Sequence, residues 1–120
     1  MNLAADARRF DVSPAWMCWA GAVPALELFA SADPDELYRH GTGLADGFRE
    51  RLGLAPTGSA IVALDDPDGV LRGVLDAAGC TVAGRAGRVR LSFHVWNDAA
   101  DVDRAAEALA GVFPPAPTAR

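Results

Sequence analysis

The chain has no lysine: all eleven basic side chains among its 120 residues are arginine. A guanidinium stays protonated at any working pH, so no side chain here offers the primary amine that a Schiff base requires. Cysteine is almost as scarce. Cys18 and Cys80 stand alone, without a Cys-x-x-Cys or a histidine at ligand spacing, which argues against a zinc site or a disulfide framework. The expectation is two reduced thiols in a cytoplasmic protein, with Cys18 in a helix core. Long hydrophobic runs are lacking too. The longest, residues 20–30, is interrupted by Gly21, Pro24 and Glu27 and is too short to span a bilayer. No basic region precedes it as in a signal peptide. Gly79, Gly84 and Gly87 do not make a phosphate loop, and Asp65-Asp66-Pro67-Asp68-Gly69 lacks the terminal glutamate of a calcium loop, so it reads as a turn plus a cap.

What is present fits one small domain. Hydrophobic residues make up 51% of the chain and charged residues 22%, enough for a single core in a soluble globule. A formal charge of −5 argues against nucleic acid or an anionic membrane as the main partner, since both require clustered cations.

Residues 1–12 read as a leader and residues 114–120, rich in proline, as a flexible tail around a domain over 13–113. Pro14 favours a helix start, and Trp16, Trp19, Val23, Leu26 and Ala30 recur at helical spacing over about 15–30, with a kink or break expected at Pro24. Trp16 and Trp19 on one face read as core or interface. Asp33-Pro34-Asp35-Glu36 opens a second helix, with Leu37, Tyr38, Leu44, Ala45, Phe48 and Leu52 inward and Gly53 as its stop. His40, Arg39, Arg49 and Arg51 fall on its solvated side. Residues 59–64 read as a buried strand, and Asp66-Pro67 as the start of a third helix with Val70, Leu71, Val74, Leu75 and Ala78 inward. Residues 80–83 read as a second strand, turned by residues 84–87 into a third. The expected class is α+β: two N-terminal helices packed with a small, mainly antiparallel three-stranded sheet and two further helices.

The third strand carries the chemistry. Val89, Leu91, Phe93 and Val95 alternate with Arg88, Arg90, Ser92, His94 and Trp96, one packed face against one polar face. A helix follows at once, capped by Asn97 or Asp98, with Val102, Ala105, Ala106, Leu109, Val112 and Phe113 inward. The run Arg-Leu-Ser-Phe-His-Val-Trp-Asn-Asp-Ala-Ala-Asp-Val-Asp resembles Arg-x-Ser-x-His-x-Tyr-Asn-Thr-x-x-Asp-Ile-Asp, which closes the small domain of class V aminotransferases, relatives of cysteine desulfurase and isopenicillin epimerase. Upstream, Arg9-Phe10-Asp11-Val12-Ser13-Pro14 looks like the segment that enters that domain, Gly21, Ala25, Leu26, Glu27 and Leu28 fit the helix after it, and Ser59-Ala60-Ile61-Val62 fits its first strand. The resemblance thus covers nearly the whole chain.

These relatives use pyridoxal phosphate. The resemblance implies that Arg90 grips a substrate carboxylate, helped by Ser92, and that Ser13 stands near a contact to the cofactor phosphate, although the segment is one residue shorter and lacks the family's glycine. The lysine, the stacking ring and the aspartate for the cofactor nitrogen belong to a large domain that this sequence does not contain. No covalent cofactor is therefore expected unless a partner supplies that half. From the residues alone, Arg90 either binds a carboxylate, which suits its planar fork, or pairs with an acid at a helix end. His94 either serves as acid or base or is held structurally near Asn97. Two readings follow: a binding or complementing subunit for a pyridoxal-phosphate-type enzyme, with a homodimer plausible through the tryptophan-rich helix; or a cofactor-independent biosynthetic enzyme using Arg90 and His94 on a small carboxylate. A truncated relic or an excised fragment is the plain alternative.

Overall fold

The computed structural model describes Ala5, Asp6 and residues 16–113, so the expectations for Ser13, for residues 7–15 and for the tail 114–120 lie outside the described residues. It has four helices and a three-stranded antiparallel sheet, an α+β architecture. Contacts divide the chain into two compact units, Met1–Asp33 and Pro34–Arg120.

The first unit holds helix α1, Trp16–Ala30. The helix runs through Pro24 without the expected break. Glu27 is its one charged residue, so no polar face exists to define an inside. None of its residues is buried, and Trp16 and Trp19 are 70% and 65% exposed. Cys18 is exposed as well, not set in a helix core. A helix apolar around its whole circumference ordinarily sits inside a larger assembly.

The second unit runs α2 (Pro34–Arg51), β1 (Ile61–Asp65), α3 (Val70–Ala77), β2 (Ala83–Arg85), β3 (Arg88–Ser92) and α4 (Ala99–Leu109). The strand order is β1-β3-β2, both outer strands antiparallel to β3, so α3 crosses between two parallel strands with β3 inserted later. Helix α2 packs on β1 and α4, and α3 packs on α4. Phe48, Leu75, Leu109, Val62 and Val89 are fully buried between the helices and one sheet face. Each such side chain contributes roughly 1.5–3 kcal/mol relative to exposure. Phe48 also meets Phe93 with ring centroids 5.8 Å apart, in a tilted pair. Gly41 lets α2 approach this end of the sheet: a Cβ there would lie 3.3 Å from the Phe93 carbonyl oxygen.

Several local expectations need correction. Tyr38 is 63% exposed rather than buried, its hydroxyl donating to the Gly58 carbonyl at 3.1 Å. The expected solvated side of α2 holds, with Arg39, His40 and Arg51 exposed and Arg49 half-buried, but these residues also bond: Arg39 and Arg49 donate to backbone carbonyls, Arg51 pairs with Asp103, and the His40 ring bonds Asn97 O at 2.9 Å. Helix α3 begins four residues after Asp66, with Gly69 in a left-handed conformation at its cap. The second strand lies three residues later than expected, because the hairpin turn is only Ala86-Gly87, at φ 51° and 71°. Positive φ at both central residues gives the twist that a two-residue hairpin needs, and Gly84 and Arg85 are thereby freed to pair with β3. Gly84 is exposed, and the Arg72 side chain fills the space that a Cβ would contest at 3.0 Å.

Candidate functional site

Strand β3 keeps the expected alternation through residue 93. Val89, Leu91 and Phe93 are buried, whereas Arg88, Arg90 and Ser92 are exposed. The register sets these three among neighbours on the same face. Asp65, Arg88 and Arg85 form one row across the sheet, Ala63, Arg90 and Ala83 the next, and Ile61 and Ser92 the last. Arg88 is anchored: Nε lies 3.0 Å from Asp65 Oδ1, and Nη2 donates to Ala63 O at 3.3 Å. The Arg90 side chain makes no hydrogen bond or ion pair with any of the described residues, so pairing with an acid at a helix end is not what the fold provides. Its fork is free to accept a carboxylate.

His94 lies two residues beyond the end of the strand. The strand ends at Ser92, and residues 94–97 form a turn in which Asn97 N donates to His94 O at 3.0 Å. His94 N in turn donates to Asn97 Oδ1 at 2.9 Å, and the imidazole stacks on Trp96 with centroids 4.1 Å apart. The alternation read from sequence therefore stops three residues before Trp96. Asn97 competes for the local backbone bonds and ends the ladder.

The cap of α4 is Asp98 rather than Asn97. Its Oδ1 accepts from Ala100 N at 2.9 Å and Asp101 N at 3.2 Å, while Asp101 Oδ2 reaches back to Asp98 N at 3.3 Å, a reciprocal capping box. Asn97 Nδ2 donates to Asp101 at 3.0 Å and Arg104 pairs with it at 3.1 Å. The Asn97 bond first, then the Asp98 amide and the Arg104 charge, hold the Asp101 carboxyl below its usual pKa. The Asn-Asp-x-x-Asp part of the motif is thus occupied in building a helix start.

Two cavities flank the sheet. One of about 440 Å³ is lined by Cys80, Ser92, Trp96, Asn97, Asp101 and Arg104 among others. Burial pushes the Cys80 thiol up, so it is the opposite of an activated nucleophile. Asp101 has its oxygens committed. The larger, about 680 Å³, lies by Arg49, Asp65, Asp66, Arg88, Val112 and Phe113. Asp66 is likewise committed, its carboxylate accepting from Leu71 N and Arg72 N. Neither cavity has Arg90 or His94 in its lining. Among the described residues no cluster of histidine, cysteine or carboxylate could hold a metal ion, and no helix is long and apolar enough to cross a membrane.

Arg90 and Ser92 are therefore brought together and His94 is set apart from them. Sequence reasoning missed Arg85, which register places opposite Arg88, and the Cys80–Arg104 cavity. The Ala86-Gly87 turn is the signal that would have fixed the first; the second arises only from tertiary packing. No protein-family model, curated protein or solved structure matches the chain.

Proposed function

We propose that this chain acts as a class V aminotransferase-like small domain, binding or complementing a pyridoxal-phosphate-type enzyme whose lysine lies on another polypeptide. The observation that carries the reading is helix α1: apolar on every side, it has no buried residue. Exposed apolar surface of this extent marks an interaction site. The absence of lysine supports a dependent role, because the chain has no side-chain amine to hold the aldehyde cofactor and does not fit that group by itself. Arg90, free on the open sheet face, is the residue that such a subunit would contribute to a carboxylate substrate at a shared site.

The test is co-expression with a lysine-bearing class V protein encoded beside it. A stable complex by size exclusion, lost with Trp16→Ala/Trp19→Ala, is the expected result. A chain that stays monomeric beside that protein, or that shows an internal aldimine absorption band when pure, would refute it.

A second reading is a cofactor-independent enzyme that binds a small carboxylate at Arg90 and uses His94 as acid or base. The unpaired Arg90 favours it; the stacking of His94 on Trp96, beyond the end of the strand, gives it no second group beside that arginine. Arg90→Ala and His94→Ala variants that retained full turnover of a candidate substrate would end it.

A further inference from the structure

The open face of the sheet gathers positive charge that the sequence scatters. β3 supplies Arg88 and Arg90, and the two-residue turn folds Arg85 directly opposite Arg88. Like charges in opposed cross-strand positions are mutually destabilising. One of the three, Arg88, has an acid in Asp65; the side chains of Arg85 and Arg90 have no hydrogen bond or ion pair with any described residue. The face thus carries three guanidinium groups against one carboxylate, on a chain whose formal charge is −5. Ala63 and Ala83 flank Arg90 in its row, with Arg88 and Arg85 in the row beside it.

We infer that this face docks an acidic, extended segment of a partner polypeptide, with carboxylates meeting Arg85 and Arg90 while Arg88 stays on Asp65. The spacing suits it. Arg85 and Arg90 are diagonal neighbours across β2 and β3, about 7–8 Å apart, close to the distance between alternate residues of an extended chain. Arg85 and Arg90 lie outside both cavities, although Arg88, Asp65 and Ala63 line the larger one, and one exposed guanidinium holds one small carboxylate weakly. Several carboxylates on one backbone add their contacts with a single loss of translational freedom. Nucleic acid is disfavoured, because the residues that share this face include no aromatic side chain on which a base could stack. The inference does not depend on the partner being a pyridoxal-phosphate enzyme.

The experiment uses the full chain and a fluorescently labelled peptide of alternating glutamate and serine, read by anisotropy at low ionic strength, with the glutamine-serine peptide as the uncharged control. The acidic peptide binds and the glutamine peptide does not. Arg85→Gln/Arg90→Gln weakens binding by about tenfold or more, whereas Arg39→Gln on α2 changes it by less than about twofold. Thermal melts of each variant establish that the fold is retained. Failure of the acidic peptide to bind, equal binding by the double variant, or equal or tighter binding of a single-stranded oligonucleotide or of anionic phosphatidylserine vesicles would each overturn the inference. No enzyme partner is present in this assay, so its outcome is separate from that of the co-expression test.

Discussion

Asp66 is the strongest single test of how the second unit is held together. Helix α3 begins behind Gly69, which has no side chain to cap the first turn. Asp66, 8% exposed, does this from three residues upstream: Oδ1 accepts from Leu71 N at 2.9 Å and Oδ2 from Arg72 N at 3.0 Å. These are two of the first-turn amides that have no partner within the helix. Replacing Asp66 with alanine removes two charge-assisted bonds, each worth about 1.5 kcal/mol. The Leu71 amide is left buried, while the Arg72 amide, partly exposed, recovers some of the loss from water. The net cost should be about 2 kcal/mol, which in a domain of this size lowers Tm by about 10 °C. Asp66→Asn keeps an acceptor for one amide and turns an NH₂ toward the other, so it should lose at least half as much. Urea unfolding followed by circular dichroism reads both variants. An Asp66→Ala protein within about 0.5 kcal/mol of the parent, at unchanged m-value, would mean that water caps this helix equally well.

Three further outcomes follow from the same geometry. Ala86 holds φ 51° in the hairpin, so Ala86→Gly should gain about 0.5–1 kcal/mol in the same unfolding assay; a loss would show that the turn tolerates alanine without strain. Asp101 has a folded pKa below its unfolded value near 4, so its contribution is in full force above that unfolded value and is lost as pH falls through the depressed folded one. Asp101→Asn should flatten the acid limb of the stability profile, and a profile parallel to the parent's would contradict the assignment. Cys80, part-buried with its thiol pKa raised by burial, should alkylate more slowly with iodoacetamide at mildly alkaline pH than exposed Cys18, as peptide mapping would show; equal rates would count against it.

The α+β class and all seven elements are legible in the sequence because each rests on a period that a local window contains. Phe48, Leu75, Val89 and Leu109 fall where the 3.6 and 2.0 periods place them. The misreadings share one physical origin: local signals compete, and tertiary geometry decides between them. Glycines at 84 and 87 both suit a turn, yet only the shorter loop lets β2 pair with β3. Apolar and polar residues alternate through Trp96, yet the Asn97 side chain captures the His94 amide and closes the strand early. In α1 the periodicity gives no inward face because nearly every position is apolar, so composition could not say that Cys18 lies exposed. The arginine face was illegible for another reason. Arg85 and Arg88 are neighbours on it only through a cross-strand register that the sequence leaves unspecified until the turn is known.

That register also bears on what Arg90 can do alone. A guanidinium in water binds one carboxylate with no more than about 1 kcal/mol, too little to select a metabolite. Selectivity requires that water be excluded and that further groups converge on the ligand. Around Arg90 the sheet offers alanines on both sides and Ser92 one row on, with the imidazole of His94 diverted into its stack with Trp96. The walls of any selective site at this arginine must therefore come from a second surface. An apolar helix with nothing buried and an arginine side chain without a partner on an open sheet are two independent features of one chain that both call for such a surface, which is why we propose association rather than catalysis by this polypeptide alone.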